Sequence, residues 1–239
     1  MPITGEDLPK TGYTKNTPDS FLLNAGAWVR DLDWDKDTSE WSYDLIGATS
    51  GGSKITLKNT YRQVPIDGIF TTPVGADMIE SAEATAELNF IELTLINLKT
   101  VLLASSEVSD GEKFPAGFTI IKPKDKIGVS DYTKNMAYIG TISGSDKPII
   151  IIFDYAICTS GLEVEPKDKE EAIYTVTFEA RTSPDNLDTM ALPVTILYPE
   201  ITKSSGRSMG SDSTTKSIDG VPPEEPDSTE EIEDEGATK

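Results

Sequence analysis

The residues that enzymes most often use for proton transfer are unevenly represented in this chain. Its 239 residues include no histidine, which removes the commonest general base, the usual catalytic triad and most transition-metal sites. They include 41 acidic residues, so a catalytic pair of carboxylates is chemically possible, although nothing in the sequence singles out one pair. We therefore expect a protein that is not an enzyme and that uses no metal and no cofactor.

Two short stretches resemble ligand-binding loops but miss a required residue. Asp31–Asp37 has acids at alternate positions, as calcium loops do, but Lys36 and Ser42 occupy the positions where that loop needs glycine and glutamate. Gly47–Lys54 resembles a phosphate-binding loop, but Ser53 stands where lysine must follow the second glycine. The first stretch is predicted to be a solvated acidic hairpin end. The glycines of the second are predicted to turn a long loop back into its strand.

The charge of the chain limits its partners. A net charge of −20 repels nucleic acid and anionic membrane surfaces. Solubility alone is the alternative explanation for so acidic a chain. The only cysteine, Cys158, excludes an internal disulfide and is predicted to be a buried, inert thiol. The first residues show no signal-peptide pattern, and no apolar segment approaches the length of a membrane span. We expect synthesis in a cytoplasm and no membrane partner.

The strongest structural pattern covers residues 79–105. Ser81–Phe90 alternates strictly between polar and apolar residues, which predicts a strand with one dry and one wet face. The wet face carries Ser81, Glu83, Thr85, Glu87 and Asn89. The pattern then changes to a helical period over about 94–104, with Thr94 as a plausible N-cap. The predicted buried face of this helix consists of Ile91, Leu95, Leu98 and Leu102. The chain is thus predicted to be mainly β, with one helix packed on a sheet.

The remaining segments complete the predicted organisation. Residues 1–20 are expected to be a flexible arm, residues 21–202 a single β domain, and residues 203–239 an acidic, disordered tail. Residues 33–52 are expected to form a long polar loop, because their polar sequence contains little regular alternation. This loop carries three aromatics and two hinge glycines, which we expect to make contacts with another molecule: Trp34, Trp41, Tyr43, Gly51 and Gly52. Deletion of residues 35–50 should accordingly leave a folded subunit that cannot polymerise.

Several motifs, taken in order, resemble one family. They are Asn24–Ala27, Leu45–Gly52 leading into a long strand that ends in Val64–Gly68, the strand and helix of residues 79–104, and Tyr174–Ala180. In this order they resemble the major tail (tail tube) protein of long, non-contractile-tailed bacteriophages, the siphovirus type common in Gram-positive hosts. The resemblance spans about 21–198. The chain departs from some members by having its acidic tail where they carry an immunoglobulin-like domain.

The resemblance implies a tail-tube β-sandwich, or partial barrel, with one flanking helix. It implies hexameric rings stacked into a tube that conducts double-stranded DNA without specific binding. The implied partners are other copies of the chain, the tape measure protein, and tail terminator and baseplate proteins. The implied location is the virion tail, after a period in the host cytoplasm.

Within such a tube, Ser81, Glu83, Thr85 and Glu87 are expected to line the lumen, and the aromatic loop 33–52 to contact the next ring. Two related alternatives are the tube of a contractile tail and that of a type VI secretion-like system. A β-sandwich binding module with Trp34 and Trp41 as its platform, and an enzyme that uses carboxylates, are alternatives from other classes.

Overall fold

A computed structural model describes residues 11–188 and 190–201 of the chain, and the predicted acidic tail lies outside these residues. Ten strands and one α-helix follow one another in the described part. They are β1 (Leu22–Asp35), β2 (Glu40–Leu45), β3 (Thr49–Gln63), β4 (Asp77–Phe90), α1 (Leu95–Leu102), β5 (Ala104–Val108), β6 (Thr119–Pro123), β7 (Thr133–Ile142), β8 (Ile149–Cys158), β9 (Tyr174–Glu179) and β10 (Val194–Leu197). None of the described helices has the length and apolarity that crossing a membrane requires.

Eight of the strands form one antiparallel sheet in the order β2-β1-β7-β8-β9-β4-β3, with β10 also paired to β8. We call β2, β1, β7, β8 and β10 the first half-sheet, and β9, β4 and β3 the second. The start of β8 pairs with β7 and β10, and its end pairs with β9. Tyr155, which has a positive φ of 43°, lies near the end of the stretch paired with β7, two residues before Ile157, where the pairing with β9 begins. One strand thus connects the two half-sheets.

The core lies between the two half-sheets, which confirms the predicted β-sandwich or partial barrel. Trp28, Tyr138 and Phe153 of the first half-sheet belong to one cluster of buried side chains with Leu88 and Phe178 of the second. The alternation predicted for β4 is also confirmed, because its buried residues are Ala84, Ala86, Leu88 and Phe90. Burial of these alternate apolar side chains stabilises the sandwich, since each removes apolar surface from water.

The prediction of one long loop over residues 33–52 is wrong. β1 continues to Asp35, β2 returns as its antiparallel partner, and β3 already begins at Thr49. Trp34 and Trp41 are partners in this hairpin, with their ring centroids 5.0 Å apart. The residues fold as strands because Trp41, Tyr43 and Leu45 alternate with polar residues, a period-two pattern that the surrounding acidic residues obscure.

The predicted helix is present, but its predicted buried face is only partly correct, because Leu98 and Leu102 are half-buried whereas Ile91 and Leu95 are exposed. Thr94 is the N-cap, as predicted, because its side chain accepts a hydrogen bond from the Asn97 N–H. The buried residues of α1 are Asn97 and Val101, whereas Leu95 and Ile96 are exposed. The Asn97 side-chain amide donates to the Ile46 carbonyl at 2.8 Å, so this polar residue satisfies a backbone group on the adjoining strand connection. The side of α1 that faces the sheet is therefore centred on Asn97 and Val101.

The described part of the predicted arm approaches the β7–β8 turn. Thr17–Ser20 forms a short 3₁₀ helix, and the Phe21 N–H donates to the Ser143 hydroxyl at 3.1 Å. The Ser143 N–H in turn donates to the Phe21 carbonyl at 3.0 Å. Residues 1–10 lie outside the described residues, so the flexible arm predicted for residues 1–20 remains a prediction.

Gly26 occupies a position in β1 that other residues fit poorly. Its φ is +71°, and an added Cβ would lie 2.4 Å from the Tyr138 ring and 2.7 Å from the Ile139 carbonyl. We expect Gly26→Ala to lower the free energy of unfolding by about 2–4 kcal/mol, from the left-handed backbone and overpacking together. Urea unfolding followed by tryptophan fluorescence measures this loss.

Gly128→Ala is the matched control for Gly26→Ala. Gly128 has a φ of −107°, and the nearest side-chain atoms would be 3.8 Å from its added Cβ. We expect a change within about 0.5 kcal/mol. Equal effects of the two substitutions would contradict the close packing of Tyr138 on Gly26.

Candidate functional site

The outward face of the second half-sheet carries charges of both signs in a fixed order. Lys54 lies directly across from Glu87, and Lys58 directly across from Glu83, in the antiparallel pairing of β3 with β4. Thr56 and Thr85 form the pair between them. We call the four charged residues the charge ladder. Directly opposed opposite charges favour the observed register, and they partly neutralise each other's field.

β9 extends this face by one more strand. Thr177 pairs with Glu87, and Glu179 pairs with Thr85, so hydroxyl and carboxylate groups continue the alternation. Ser81 and Glu83 are exposed, whereas Thr85 and Glu87 are half-buried by their neighbours. The structure therefore brings together the four residues that the sequence predicted to line a lumen. It also places lysines beside the two glutamates, so the face is mixed in charge.

The far part of the β3–β4 hairpin extends beyond its neighbours. β9 pairs with β4 only over Thr85–Phe90, whereas β3 accompanies β4 from Phe90 to Asp77. The loop of residues 64–76 closes the far end, and we call it the tip loop. Four of its large apolar side chains are exposed, namely Ile66, Ile69, Phe70 and Val74, and Val64 is half-buried.

The tip loop is not among the contact surfaces predicted from the sequence. Its signal was the presence of five large apolar residues within a segment that also contains two prolines and two glycines. Turn segments are usually polar, so apolar side chains in such a segment indicate a surface that contacts a partner.

The residues predicted to contact the next ring do not form one site. Trp34 and Trp41 line an open groove of about 710 Å³, together with Ile150, Leu197 and Tyr198. We call it the tryptophan groove. The two tryptophans are 42% and 40% exposed, so each retains surface for a partner.

The other predicted contact residues lie on different strands. Tyr43 is exposed on β2. Gly51 and Gly52 lie within β3, with φ values of 79° and 83°, where its register with β4 shifts. They form a bulge that only residues tolerating positive φ can adopt easily, and the Gly52 carbonyl accepts a hydrogen bond from the Asn89 side chain at 3.3 Å. Their observed role is local.

A second cleft lies beside the first turn of α1, at the end of the β3–β4 hairpin where Thr49 pairs with Phe90. It has a volume of about 610 Å³. We call it the helix-end cleft, and its lining comes from three segments, residues 25–30, residues 45–49 and residues 92–97. Leu45 and Ile96 are its exposed apolar members, and Arg30 and Glu92 are its charged ones. The cleft is therefore apolar at its rim and balanced in charge.

Two aspartates have pKa values that shift in opposite directions. Burial raises the pKa of the Asp154 carboxyl, which lies across from Asn135 on β7. The Asp37 N–H, followed by the Thr38 groups, lowers the pKa of the Asp35 carboxyl at the β1–β2 turn. The charged form of the Asp154 carboxyl is thus less stable in the folded chain than in the unfolded chain, and the charged form of the Asp35 carboxyl is more stable. In the unfolded chain both carboxyls have a pKa of about 3.9.

These shifts predict opposite effects of two substitutions. The stabilising contribution of protonated Asp154 is complete below its unfolded pKa and is lost as the pH rises through its folded pKa, so Asp154→Asn should be more stable than the parent at pH 7. The contribution of charged Asp35 is present above its unfolded pKa and is lost as the pH falls through its folded pKa, so Asp35→Asn should be less stable at pH 7.

Urea midpoints at pH 7 and pH 3 measure both differences between variant and parent. We expect both differences in urea midpoint to be smaller at pH 3 than at pH 7. The same sign for the two variants at pH 7 would contradict the assignment.

Comparisons with known proteins find likeness only at the level of structure. No protein-family model matches the chain, and neither does any curated protein. A chain in the tail of an empty gene transfer agent particle, refined with C6 helical symmetry, has a TM-score of 0.37 and 11% identity, and the match covers 66% of this chain and 92% of that one. A chain in the virion of a native gene transfer agent particle has a TM-score of 0.34 and 13% identity, covering 71% and 96%.

A third similar structure comes from the six-fold symmetrised baseplate of the anti-feeding prophage. One of its chains has a TM-score of 0.37 and 8% identity, and the match covers 74% of this chain and 97% of that one.

Proposed function

We propose that this chain is the structural subunit of a bacteriophage tail tube, of the long, non-contractile type that its sequence motifs resemble. The observation that carries the proposal is the second half-sheet. One of its faces is buried in the core, the other carries the charge ladder, and it ends in a long edge strand. Such a sheet suits a subunit whose sheet joins those of neighbouring subunits to form the wall of a tube.

The edge of β3 supports assembly into a closed ring. In the described part of the chain, β3 is the last strand of the sheet order, and it is 15 residues long. A long edge strand presents backbone N–H and C=O groups that attract further strands, and closing a ring of subunits removes such edges. We propose hexameric rings, as the family resemblance implies. Stacked rings would form the tube.

We propose that the charge ladder faces the lumen, together with Thr56 and Thr85, the pair that lies between its charged pairs. Duplex DNA passing through would meet a surface of paired opposite charges and hydroxyls, with carboxylates from Glu83, Glu87 and Glu179. Because each of its lysines has a glutamate directly across from it, this surface attracts the phosphates only weakly, so DNA slides without specific binding. The proposed location is the virion tail, with tape measure, terminator and baseplate proteins as partners. The subunit carries out no catalysis in this role.

One observation favours a second candidate function. The tryptophan groove is an open, aromatic-walled surface, of the kind that binding modules present to a carbohydrate or protein. A binding module would act as a monomer, whereas a tube subunit must self-associate. The tubes of contractile tails and of type VI secretion-like systems would self-associate as well.

Self-association of the purified full chain tests the proposed function. Light scattering coupled to size exclusion, over a wide concentration range, should show hexamers at intermediate concentration. Negative-stain images at high concentration should show hollow tubes. A monomer that is independent of concentration would contradict the proposal and favour the binding module.

A further inference from the structure

The N-terminal arm and the tryptophan groove lie at the same edge of the first half-sheet. β1 begins at this edge, where Leu22 pairs with Ile142 at the end of β7. β8 begins and β10 ends there as well, since Ile150 pairs with Leu197. Pro148, in the turn between β7 and β8, lines the groove together with Ile150 and Leu197. The groove therefore opens beside the point where the arm joins the sheet.

The described part of the arm is anchored on the turn between β7 and β8. The Ser143 hydroxyl donates a hydrogen bond to the Pro18 carbonyl. Gly144 packs closely on the arm, because an added Cβ would lie 2.5 Å from the Asp19 carbonyl. Lys147, which lines the groove, follows Ser143 by four residues, so their Cα atoms are at most about 14 Å apart. The anchor of the arm is thus close to the groove.

The chain before this anchor is long enough to reach the groove. The hydrogen bonds that the structure shows for residues 11–16 stay within the arm, as from the Tyr13 N–H to the Thr11 hydroxyl at 3.4 Å and from the Thr14 N–H to the Thr17 hydroxyl at 2.7 Å. Leu8 precedes Thr17 by nine residues, and an extended chain of that length spans about 30 Å. Residues 1–10, which we call the arm segment, can therefore reach the groove of their own chain.

The arm segment matches the groove in composition. Half of its ten residues are large apolar residues or prolines, namely Met1, Pro2, Ile3, Leu8 and Pro9, and its charges are of both signs, on Glu6, Asp7 and Lys10. The groove offers two half-exposed tryptophans, and Lys147 and Glu200 are its charged members. Segments that contain proline dock readily in aromatic-lined grooves, because their backbone has little freedom to lose.

We propose that the arm segment occupies the tryptophan groove of its own chain in the isolated subunit, with Leu8 and Pro9 against Trp34 and Trp41. The occupant is this segment because it starts from an anchor beside the groove, which gives it a roughly millimolar effective concentration there. A second copy at ordinary concentrations cannot match this value. The inference concerns the single subunit and does not depend on tube formation. It replaces the flexibility predicted from the sequence for the first half of the arm.

A covered groove has a consequence for the subunit. Exposed aromatic surface attracts other apolar surfaces, so the arm segment would protect the isolated chain from unspecific association. It would also leave no open aromatic platform for a carbohydrate. The docking therefore counts against the binding module as a second candidate function.

An intramolecular cross-link tests the docking directly. The full chain carries Pro9→Cys with Glu200→Cys, and the native Cys158 is buried and expected to react slowly. On mild oxidation, a disulfide within one chain should form at least tenfold faster than in a control that carries Pro9→Cys with Val108→Cys. Val108 is an exposed residue of β5 outside the groove. The rate should not change with protein concentration, and peptide mass spectrometry identifies the linked residues.

Quenching of tryptophan fluorescence by acrylamide provides a second test. Trp28 is buried, so the quenching reports mainly on Trp34 and Trp41. Leu8→Asp, and separately deletion of residues 2–10, should increase the quenching constant about twofold. Tyr13→Asp is the matched control, at an exposed residue of the arm outside the arm segment, and it should leave the constant unchanged. A synthetic peptide of residues 1–10, added at millimolar concentration to the deletion variant, should restore the parental value.

Three results would overturn the docking. The first is a quenching constant that neither Leu8→Asp nor the deletion changes. The second is a cross-link that forms only between two chains, at a rate that rises with protein concentration, which would assign the groove to the arm of another copy. The third is a synthetic peptide that leaves the deletion variant as quenchable as before. Circular dichroism of each variant checks that the β domain remains folded.

Discussion

Replacing Leu88 by alanine is expected to lower the free energy of unfolding by about 3–4 kcal/mol. Leu88 is fully buried near the end of β4, between Ser53 of β3 and Val176 of β9. The smaller side chain leaves a cavity between the half-sheets, and strands paired on both sides have little freedom to close it. Urea unfolding of the monomer, at a concentration below assembly, measures the loss. The slope of the free energy of unfolding against urea concentration should equal that of the parent.

The control for Leu88→Ala is Leu187→Ala, at a leucine that is 75% exposed. We expect this control to stay within about 0.5 kcal/mol of the parent. A loss below about 1 kcal/mol for Leu88→Ala would mean that the two half-sheets do not pack on each other in the isolated subunit. It would also remove the physical basis for a rigid second half-sheet.

The parts of the fold that the sequence could predict are those where one local pattern determines the structure. In β4, ten residues alternate without interruption, because the dry face meets only the core and the wet face only solvent or side chains. Thr94 could be recognised as an N-cap because a hydroxyl immediately before a helical period satisfies a free N–H in the first turn. Neither inference requires knowledge of distant residues.

The structure of residues 33–52 rests on a short local pattern that the surrounding polar residues obscure, so the sequence did not reveal it. β2 has only six residues and pairs only with β1, and its alternation lies within a run of acids and hydroxyls. The distinction has an experimental consequence. Deletion of residues 35–50 would remove β2 and Ile46, a buried residue whose carbonyl binds Asn97. We therefore expect that deletion to impair folding, and it cannot serve as a test of assembly.

The helix and the candidate contact surfaces show the same limit. Apolar spacing selected Leu95 for burial, but Asn97 is buried instead and donates a hydrogen bond to the Ile46 carbonyl, a partner that the spacing does not reveal. The sequence could place Glu83 and Glu87 on one face of β4. Only the register of β3 shows that Lys58 and Lys54 lie beside them. Cross-strand register depends on the bulge at Gly51 and Gly52, which a one-dimensional pattern does not contain.

This register changes how the proposed lumen has to be tested. Glu83→Lys with Glu87→Lys would place lysine directly opposite lysine at both pairs, which weakens the sheet as well as reversing the surface charge. A second variant separates the two effects. It adds Lys54→Glu with Lys58→Glu, so the opposed charges and the net charge are restored with their strands exchanged. Both variants belong in an assembling phage whose DNA ejection can be timed.

We expect the double lysine variant to assemble tails and to eject DNA about tenfold more slowly or incompletely, because duplex DNA carries about one negative charge per 1.7 Å and each new unpaired lysine adds an attractive contact. Such contacts recur in every ring, so weak attraction sums to strong friction along the tube. Raising the salt concentration should restore part of the rate, since counterions compete for the phosphates. The fourfold exchange variant should eject at the parental rate. Parental ejection by the double lysine variant, from tails of normal shape, would show that this face of β4 lies away from the channel.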